Sequence, residues 1–402
     1  MALLVEWDAC GANKQNVQEN CMIILNEASP RVVLCVSSKD QVEGEALAQL
    51  MSGANLPGVV HAAGLADIHP GMGLPVGAAY LMENMVYPHI PGTDAGCGVG
   101  LWKTSLKPGK INLDRWSKKL NGLDDPWDGD TLEWLAEFGV EADEPDPGLG
   151  TIGGGNHFAE LQQIDQVLDA DRLKDLGLKK RDVVLLVHTG SRGLGSALFW
   201  EYANEGGAQG LPGDSEQAGQ FMKKHARALD WGRANRALVA RRFLSCLSAK
   251  ESLIADVRHN SVEKINVDDR EFFLHWKGAA DATQGPFVIP GSRDAFSYLV
   301  EPVGDQKENA FSLPHGAGRK WPRGHCKARL SSKYGKSDMT HTKLGGRVIC
   351  EDSALLWDEA PQAYKDIEKV MQELETHDMA RPIARLRPLI TYKTRSKNRQ
   401  GR

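Results

Sequence analysis

The chain has 402 residues, of which 41% are hydrophobic and 25% charged, close to the average for soluble globular proteins. No apolar run approaches the length needed to cross a bilayer, and residues 1–30 lack the basic start and apolar core of a signal peptide. The seven cysteines are odd in number and widely scattered, which argues against a disulfide framework. These features exclude membrane-spanning and disulfide-stapled classes, and they predict a cytoplasmic protein.

The net charge of −5 conceals two regions of opposite sign. Residues 121–147 contain ten Asp or Glu and no Lys or Arg, and with Trp127 and Trp134 they predict a surface helix and loop. Residues 381–402 contain eight Lys or Arg and no acid. This basic stretch has two interpretations, a solvated terminus or an RNA contact, and its tail begins at about residue 394.

Hydrophobic periodicity predicts both kinds of regular element along the chain. Apolar runs predict strands over 32–36, 101–106 and 183–187, and a helical pattern is predicted over 41–51. A long helix is predicted over 214–247, with an apolar face formed by Phe221, Ala228, Trp231 and Leu238. This alternation is typical of a mixed α/β protein.

The first chemical signal is the stretch 65–77, which carries Asp67 and His69 two residues apart, ahead of glycines and prolines. That spacing places both side chains on one side of an extended segment, and the residues that follow exclude a helix, so a constrained loop is predicted. Asp67 either orients a histidine that ligates a metal or is a turn acid that bonds its own backbone.

The octapeptide 93–100 places the carboxylate of Asp94 three residues before the thiol of Cys97, among glycines. A thiolate can bridge two cations while the carboxylate holds one of them, and the glycines let the backbone fold closely around both. The alternative is a glycine-rich turn with an ordinary buried cysteine. Histidines in similar settings elsewhere in the chain favour the metal site.

Two later stretches present histidines beside glycines. Five glycines precede Asn156 and His157, which lets backbone amides approach an anion and presents both side chains at the exit of the loop. His188 ends a buried strand and is followed by Ser191, Arg192 and glycine amides, which predict a phosphate cradle. Both histidines are interpreted as metal ligands.

The last signal is the stretch 312–323, in which His315 lies between a proline and a Gly-Ala-Gly run. The small residues leave room for a bulky substrate against the imidazole, and Arg319 and Arg323 supply guanidinium groups that match phosphate. This pattern suits a histidine that attacks phosphorus, and the alternative is a turn with exposed basic residues. Before it, His259 and Lys277 add an imidazole and an ammonium group.

In this order, the segments resemble the RtcB family of RNA ligases, which join a 3′-phosphate or 2′,3′-cyclic phosphate end to a 5′-hydroxyl using GTP and manganese. The resemblance runs from about Ala66 to Lys393. It rests on the stretches LADIHPGMGLPVG, TDAGCGVG, GTIGGGNHFAEL, VHTGSRGLG, ADVRHN, HWKGA, VIPGS, HGAGRKWPR and DEAPQAYKD.

The resemblance implies a role for each matching residue. It implies that Cys97 bridges two Mn²⁺, with Asp94 and His157 completing one site and His188 and His259 the other, although spacing alone does not separate Mn²⁺ from Zn²⁺. It implies that His315 takes up guanylate, with Asp67 and Arg319 as further catalytic residues. The residues implied to hold GTP are Asn156, Glu160, Ser292, His315, Tyr364 and Lys393. Those implied to meet RNA or phosphate groups are Arg192, Lys277, Arg319 and Arg323.

The sequence departs from the family pattern at several positions. Met72 stands where the family usually has Lys, Trp276 where it usually has Arg, and Arg293-Asp294 where it usually has Met-Gly. The implied metal set and His315 are intact, so these departures bear on the choice of RNA end more than on the chemistry. The divergence is similar to that of a bacterial subgroup coupled to a release-factor-like protein, which implies repair of damaged ribosomal or transfer RNA.

We therefore expect a mixed α+β fold, with one RtcB-like domain over residues 1–402 and glycine-rich loops around a central metal-binding cleft. The expected activity is GTP- and Mn²⁺-dependent joining of RNA ends. A dinuclear metallophosphoesterase is the alternative from another enzyme class, and it needs the metal cluster but not the His315 loop. A non-catalytic RNA-binding repair factor is the third hypothesis, and it tolerates loss of the metal ligands.

Overall fold

The computed structural model of the chain describes residues 22–204 and 209–397. The strands in these ranges are β1 (Ile23–Asn26), β2 (Arg31–Leu34), β3 (Val59–His69), β4 (Val76–Met82), β5 (Met85–Val86), β6 (Gly98–Thr104), β7 (Phe158–Val167), β8 (Val183–Thr189), β9 (Leu211–Pro212), β10 (Glu251–Arg258), β11 (Asn260–Val267), β12 (Arg270–Lys277), β13 (Ala279–Asp281), β14 (Phe287–Ile289), β15 (Ser297–Pro302), β16 (Ser312–Pro314), β17 (Arg347–Cys350) and β18 (Ala380–Thr394). The α-helices are α1 (Gly44–Ala54), α2 (Leu113–Lys119), α3 (Thr131–Ala136), α4 (Ala170–Asp175), α5 (Gly193–Asn204), α6 (Glu216–Cys246), α7 (Cys326–Leu330), α8 (Lys336–Thr340), α9 (Ser353–Asp358) and α10 (Ile367–Thr376).

Two large sheets organise the molecule. The first has the strand order β1-β2-β3-β4-β12-β11, and the second has the order β10-β6-β8-β7-β18-β15-β14, with β17 beside β18. Most neighbouring strands are antiparallel, whereas β2–β3 and β17–β18 are parallel. This combination of sheets and helices confirms the predicted α+β class. None of the described helices has both the length and the apolar character needed to span a bilayer.

The second sheet is built around β8 and covered by α6. All seven residues of β8 are buried, as its continuous apolar run predicts. The helix α6 begins after Ser215, whose side chain accepts a hydrogen bond from the Ala218 amide, and it packs on β6 and β8. The residues predicted to form its apolar face are all buried: Phe221, Ala228, Trp231 and Leu238. The prediction of a core helix is confirmed.

The loop predicted over residues 65–77 is wrong at both ends. Strand β3 continues to His69 and β4 begins at Val76, so only residues 70–75 turn. The register of the β3–β4 pair shifts after Gly64, and pairing resumes at His69, which lies opposite Val76, so the extended backbone continues up to the turn. Asp67 and His69 therefore lie at the end of a strand, in the extended conformation that their spacing predicts.

The acidic stretch contains more buried surface than predicted. Trp134 in α3 is only 5% exposed, and its indole Nε1–H donates to the Ala234 carbonyl of α6 at 3.0 Å. Trp127 packs at the edge of the same apolar cluster. The acids face outward while the tryptophans hold this segment against α6, so the prediction of a surface loop is only partly right.

The interpretation of residues 381–394 as a solvated terminus is wrong. These residues lie in β18, between β7 and β15, because apolar side chains such as Ile383 and Ile390 alternate with the basic ones and are buried in the sheet. Arg385 pairs with Asp165 at 2.7 Å across the sheet. Beyond the strand, Arg395 pairs with Glu351 at 3.0 Å. The predicted tail beyond residue 397 lies outside the described residues.

Candidate metal and nucleotide site

One cavity of about 370 Å³ collects most of the residues singled out in the sequence. Its lining includes His69, Asp94, Asn156, Glu160, His188, His259, Lys277, Ser292, His315, Arg319, Arg323, Tyr364 and Lys393. Asp67, Cys97 and His157 are buried behind this surface. Apart from Arg192, the residues predicted to bind metal, nucleotide or phosphate therefore lie together around one cavity, although they are separated by up to 326 positions in sequence.

Two groups of potential ligands share the Cys97 thiol. The first group is Asp94, Cys97 and His157, and the second is Cys97, His188 and His259. Cys97 Sγ lies 3.4 Å from His157 Nε2 and 3.2 Å from His188 Nε2. His157 Nε2 lies 2.8 Å from Asp94 Oδ2, and His188 Nε2 lies 3.2 Å from His259 Nε2. This is the arrangement in which one thiolate can bridge two cations.

Strand register explains why these five side chains meet. In the second sheet, His188 of β8 is paired with Val99 on one side and with Phe158 on the other. Cys97 is two residues before Val99, and His157 immediately precedes Phe158. On the next strand, Arg258 pairs with Gly98, which brings the following His259 to the same edge. The ends of four adjacent strands thus present their ligands together.

Two polar residues of α6 hold the loop around Cys97. Arg236 is only 3% exposed, and its Nη1 donates to the carbonyls of Gly96 and Thr189 at 2.8 and 3.0 Å. Its Nε donates to Asp256 Oδ1 at 2.7 Å. The neighbouring Asn235 is fully buried and donates to the Gly190 carbonyl at 3.2 Å. Both residues tie the strands that carry the potential metal ligands to the long helix.

A glycine is required where the two ligand segments cross. At Gly190, a Cβ atom would lie 2.4 Å from Asp94 Oδ1 and 3.1 Å from the Cys97 backbone. Real Cβ atoms do not approach other atoms this closely, so any larger residue would push Asp94 and Cys97 apart. The glycine after His188 is therefore part of the site's geometry.

Burial controls the protonation of the ligands. Burial, together with the neighbouring carboxylate of Asp94, raises the pKa of the Cys97 thiol well above its usual value. Burial also lowers the pKa values of His188 and His259, and neighbouring imidazoles lower them further by charge repulsion, those of His157 and His315 at His188 and those of His315 and His188 at His259. The imidazoles are consequently neutral and able to coordinate, whereas Cys97 must release its proton when a cation binds.

The donor set fits a borderline divalent cation. It offers one sulfur, three imidazole nitrogens and one carboxylate, in two groups that share the sulfur. Such mixed sets suit Mn²⁺ or Zn²⁺ better than Mg²⁺ or Ca²⁺, which prefer oxygen ligands throughout. The arrangement can therefore hold metal ions, and the assignment of each ligand stays a prediction.

His315 lies between this cluster and a buried carboxylate. Its Nδ1 is 2.7 Å from Asp67 Oδ2, and Asp67 has no exposed surface. Its ring centroid is 4.9 Å from that of His259. The loop carrying His315 packs tightly on β3, since a Cβ atom at Gly318 would lie 2.2 Å from the Asp67 carbonyl. His315 is thus held next to the potential metal ligands by an acid on a neighbouring strand.

The opposite wall of the cavity carries a group of cations around Glu359. This residue is 5% exposed, and its carboxylate lies 3.2 Å from Arg319 Nη1, 3.4 Å from Arg323 Nε and 3.4 Å from Lys393 Nζ. The Tyr364 hydroxyl donates to Glu359 Oε2 at 2.5 Å. Burial opposes ionisation of Glu359, but Lys393, Arg323 and Arg319 outweigh it and lower its pKa to about 2. Three cations share one carboxylate, so this wall is suited to anions.

Comparison with known proteins decides the family. The family model described as tRNA-splicing ligase RtcB matches residues 49–124 and 138–394. The chain belongs to the RtcB family. It is 43% identical to the RNA-splicing ligase RtcB2 of an Escherichia coli strain, over 90% of this chain and 95% of that protein. It is also 28% identical to the tRNA-splicing ligase RtcB of Thermococcus kodakarensis, over 85% of this chain and 90% of that protein. The prediction of an RNA-ligase enzyme is confirmed.

The role predicted for Asp67 changes in this RtcB protein. Neither role inferred from the local spacing is seen, because the Asp67 carboxylate contacts His315 and not a histidine of the two ligand groups or its own turn. The catalytic role that the family resemblance implies for Asp67 stays a prediction. His69 Nδ1 instead lies 2.9 Å from the Asp67 carbonyl. The sequence could not show this contact, since Asp67 and His315 are brought together only by the packing of the Gly318 loop on β3.

The phosphate cradle predicted after His188 is wrong in part. Ser191 is fully buried, and its hydroxyl donates to the Ala95 carbonyl at 2.5 Å, so it supports the metal loop. Arg192 does not line the cavity. Its guanidinium packs directly against Gly153. A Cβ atom at Gly153 would lie 1.8 Å from Arg192 Nη1 and 2.9 Å from His157 Nδ1. The cationic wall around Glu359 offers anions the more direct contacts.

The residues at which this chain departs from the RtcB family pattern differ in their burial and contacts. Met72 is 76% exposed, and its carbonyl accepts from Lys277 Nζ at 2.8 Å. Trp276 is buried in the core, where its indole donates to Ser312 Oγ at 2.8 Å. Arg293 lines the cavity, and its Nη2 donates to the Leu356 carbonyl at 2.9 Å. Only the first and last of these can therefore meet a ligand.

Sequence reasoning missed Glu359, Arg236 and Asn235 as contributors to the site. Glu359 belongs to the stretch DEAPQAYKD, on which the family resemblance partly rests. It directly follows Asp358 there, and nothing in the local sequence distinguishes it from an ordinary surface acid. Arg236 and Asn235 carried a usable signal. They are polar residues between Trp231 and Leu238, on the helix face that the apolar pattern predicts to be buried.

Proposed function

We propose that this RtcB ligase joins an RNA 3′-phosphate or 2′,3′-cyclic phosphate end to a 5′-hydroxyl end, with GTP and two Mn²⁺, through a guanylate on His315. The single observation that carries the proposal is the position of His315, between the carboxylate of Asp67 and the paired ligand groups that share Cys97. We also propose a role in the repair of ribosomal or transfer RNA in the cytoplasm, with a release-factor-like protein as partner.

Asp67 determines which nitrogen of His315 reacts. Its carboxylate lies 2.7 Å from Nδ1, which favours the tautomer with the proton on Nδ1 and leaves a lone pair on Nε2. Nε2 attacks the α-phosphorus of GTP, a phosphorus–nitrogen bond forms, and pyrophosphate leaves with the bonding electron pair. The metal ions, when bound, neutralise phosphate charge during these displacements. Asp67 stabilises the positive charge that develops on the imidazole.

The remaining steps transfer the guanylate to RNA. An oxygen of the RNA 3′-phosphate attacks the phosphorus bonded to His315, which breaks the phosphorus–nitrogen bond and frees the imidazole. The 5′-hydroxyl then attacks the 3′-phosphate phosphorus, loses its proton, and displaces GMP. Arg319, Arg323 and Lys277 supply cations for these anionic groups, and Glu359 holds the two arginines in place until an anion binds.

A ligation assay tests the proposal against the phosphoesterase alternative. Incubation of a 3′-phosphate RNA and a 5′-hydroxyl RNA with GTP and Mn²⁺ should give a longer product that resists phosphatase and requires GTP. A phosphoesterase would release inorganic phosphate without GTP, and a non-catalytic repair factor would leave both RNAs unchanged. Either of those results would contradict the proposed function.

Glu160 should make GTP binding depend on pH. Burial raises the pKa of this carboxyl to about 7, although Thr391 and Gln162 donate hydrogen bonds to it. Two guanine N–H groups can donate to both carboxylate oxygens, in charge-assisted hydrogen bonds, only when Glu160 is ionised, so the Kd for GTP should fall as pH rises, by up to about tenfold per unit below pH 7. The slope should flatten above pH 7.

The measurement uses His315→Ala protein without metal, so that neither covalent chemistry nor ligand deprotonation contributes. Glu160→Gln in the same background is the matched control, because it keeps the shape of the side chain but does not ionise in this range. A Kd that is equally pH-dependent in both proteins would show that Glu160 does not recognise the guanine.

A further inference from the structure

A basic segment of the chain extends away from the residues that line the cavity. Residues 319–347 contain nine Lys or Arg and a single acid, Asp338. Its charge is strongly one-sided, as is that of the acidic residues 121–147 and of the basic residues 381–397. The segment begins at the cavity, because Arg319 and Arg323 both line it and pair with Glu359.

The fold of residues 319–347 leaves most of their basic side chains exposed to solvent. The short helices α7 and α8 pack their apolar residues Cys326, Leu330 and Met339 into one cluster with α9 and β17. Their other faces are exposed. We call these exposed side chains the 320–343 surface; its members are Lys320, Lys327, Arg329, Lys333, Lys336 and Lys343.

The lysines of the 320–343 surface have no acidic partners among the described residues. Within the segment, the ion pairs are formed by Arg319, Arg323 and Arg347, which lie at its ends. Some exposed lysines elsewhere are paired, for example Lys224 with Glu201 at 2.5 Å and Lys264 with Glu271 at 2.8 Å. A surface of unpaired like charges is unfavourable by itself and is stabilised by a polyanion.

An aromatic ring fixes part of the 320–343 surface. Trp321 is half-buried and packs on the α7–α9 cluster. Lys320 Nζ lies 5.5 Å and Arg329 Cζ lies 5.1 Å from the centre of one of its rings. These cation–π contacts hold two cations against the ring of Trp321, which is two residues from the cavity-lining Arg323.

We propose that the 320–343 surface binds the phosphate backbone of the single-stranded RNA whose end enters the cavity. This inference rests on the proposed function, since it assigns a path to the same substrate. The surface adjoins the cavity-lining residues Arg319 and Arg323 in sequence, it carries six exposed cations, and Asp338 is the single acid within its range. An RNA strand leaving the cavity at Arg323 meets Lys320 and Lys327 next, and the helices α7 and α8 extend the contact.

The test is the salt dependence of RNA binding by the full chain. The variant replaces Lys320, Lys327, Lys333 and Lys336 with Gln, and the control makes the same four changes at exposed lysines that do not line the cavity, namely Lys174, Lys179, Lys180 and Lys223. Binding of a fluorescent 3′-phosphate RNA is followed by anisotropy without GTP, over a series of KCl concentrations. The unfolding midpoints of both variants are measured in parallel.

The slope of log affinity against log salt should become shallower by roughly 0.7 for each phosphate contact removed, about 3 in the variant, and stay unchanged in the control. Lys333→Gln alone should lower the slope by about 0.7, which keeps the test valid if the fourfold variant unfolds. Equal slopes for variant, control and unmodified protein would overturn the assignment.

The outcome is separable from that of the proposed function. If no guanylate forms on His315 but the salt dependence of RNA binding is weaker in the variant, the RNA surface is supported and the ligase mechanism is refuted. If the protein ligates RNA but the slope of log affinity against log salt is unchanged in the variant, the ligase mechanism is supported and the RNA surface is refuted. Loss of slope in both variant and control would show diffuse attraction by net charge, and it too would overturn the assignment to the 320–343 surface.

Discussion

His315→Ala protein incubated with α-labelled GTP and Mn²⁺ should carry no covalent label, whereas the unmodified protein should carry label that survives denaturation. The reason is that His315 is the imidazole held by Asp67 beside the shared-thiol cluster, and alanine removes the nitrogen that forms the bond to phosphorus. A phosphorus–nitrogen bond is labile to acid, so the label should be lost at low pH. The expected effect is complete loss of the adduct.

His341→Ala is the matched control, since His341 is exposed and lies outside the cavity lining. It should be labelled at the rate of the unmodified protein. Asp67→Asn should retain the nucleophile but slow labelling, by roughly 10²-fold or more, because the amide cannot stabilise the charge that develops on the imidazole. An adduct of undiminished yield in His315→Ala would assign the nucleophile to another residue.

Cys97→Ala should abolish the binuclear metal site, which is the second large effect expected. The thiol lies 3.4 Å from His157 Nε2 and 3.2 Å from His188 Nε2, so it is the one ligand common to both groups. Asp94→Ala and His259→Ala each remove a ligand from one group only, and each should weaken one ion preferentially. Mn²⁺ stoichiometry and affinity, measured by equilibrium dialysis, distinguish these cases.

Cys246→Ala serves as the control for the thiol, because Cys246 is a free cysteine at the end of α6, away from both groups. It should bind metal as the unmodified protein does. Two Mn²⁺ per chain with unchanged affinity in Cys97→Ala would refute the bridging role. Loss of both ions in Asp94→Ala as well would instead indicate that the two groups bind their ions cooperatively.

The parts of the site that sequence could predict are those whose chemistry is local. Cys97 and Asp94 share one glycine-rich segment, and His188 follows a continuous apolar run that is buried as predicted. The contact between Asp67 and His315 could not be predicted, since it depends on two segments that pack only in the fold. Glu359 was missed for the same reason, because its significance comes from three cations that converge on it.

For the helices and strands as well, features set by neighbouring residues could be predicted, whereas features set by residues distant in sequence could not. The helix α6 could be predicted from its periodicity, and it is found within two residues of the expected bounds. The strand β18 was misjudged because its charge suggested a solvated end, whereas its partners β7 and β15 lie far away in sequence. The prediction of one RtcB-like domain over residues 1–402 stays a prediction, since residues 1–21 lie outside the described part.

The position of β18 in the second sheet has a consequence for the synthesis of the protein. Arg385 and Asp165, which pair across β18 and β7, are 220 residues apart in sequence. A ribosome needs roughly 20 to 80 s to make the residues before β18, at 5–20 residues per second. From the synthesis of β7 and β15 until that of β18, these two strands lack the strand that joins them, and the cavity lacks Thr391 and Lys393. We therefore expect the nascent chain to have an incomplete cavity, and open strand edges that favour aggregation, until residue 394 has left the ribosome.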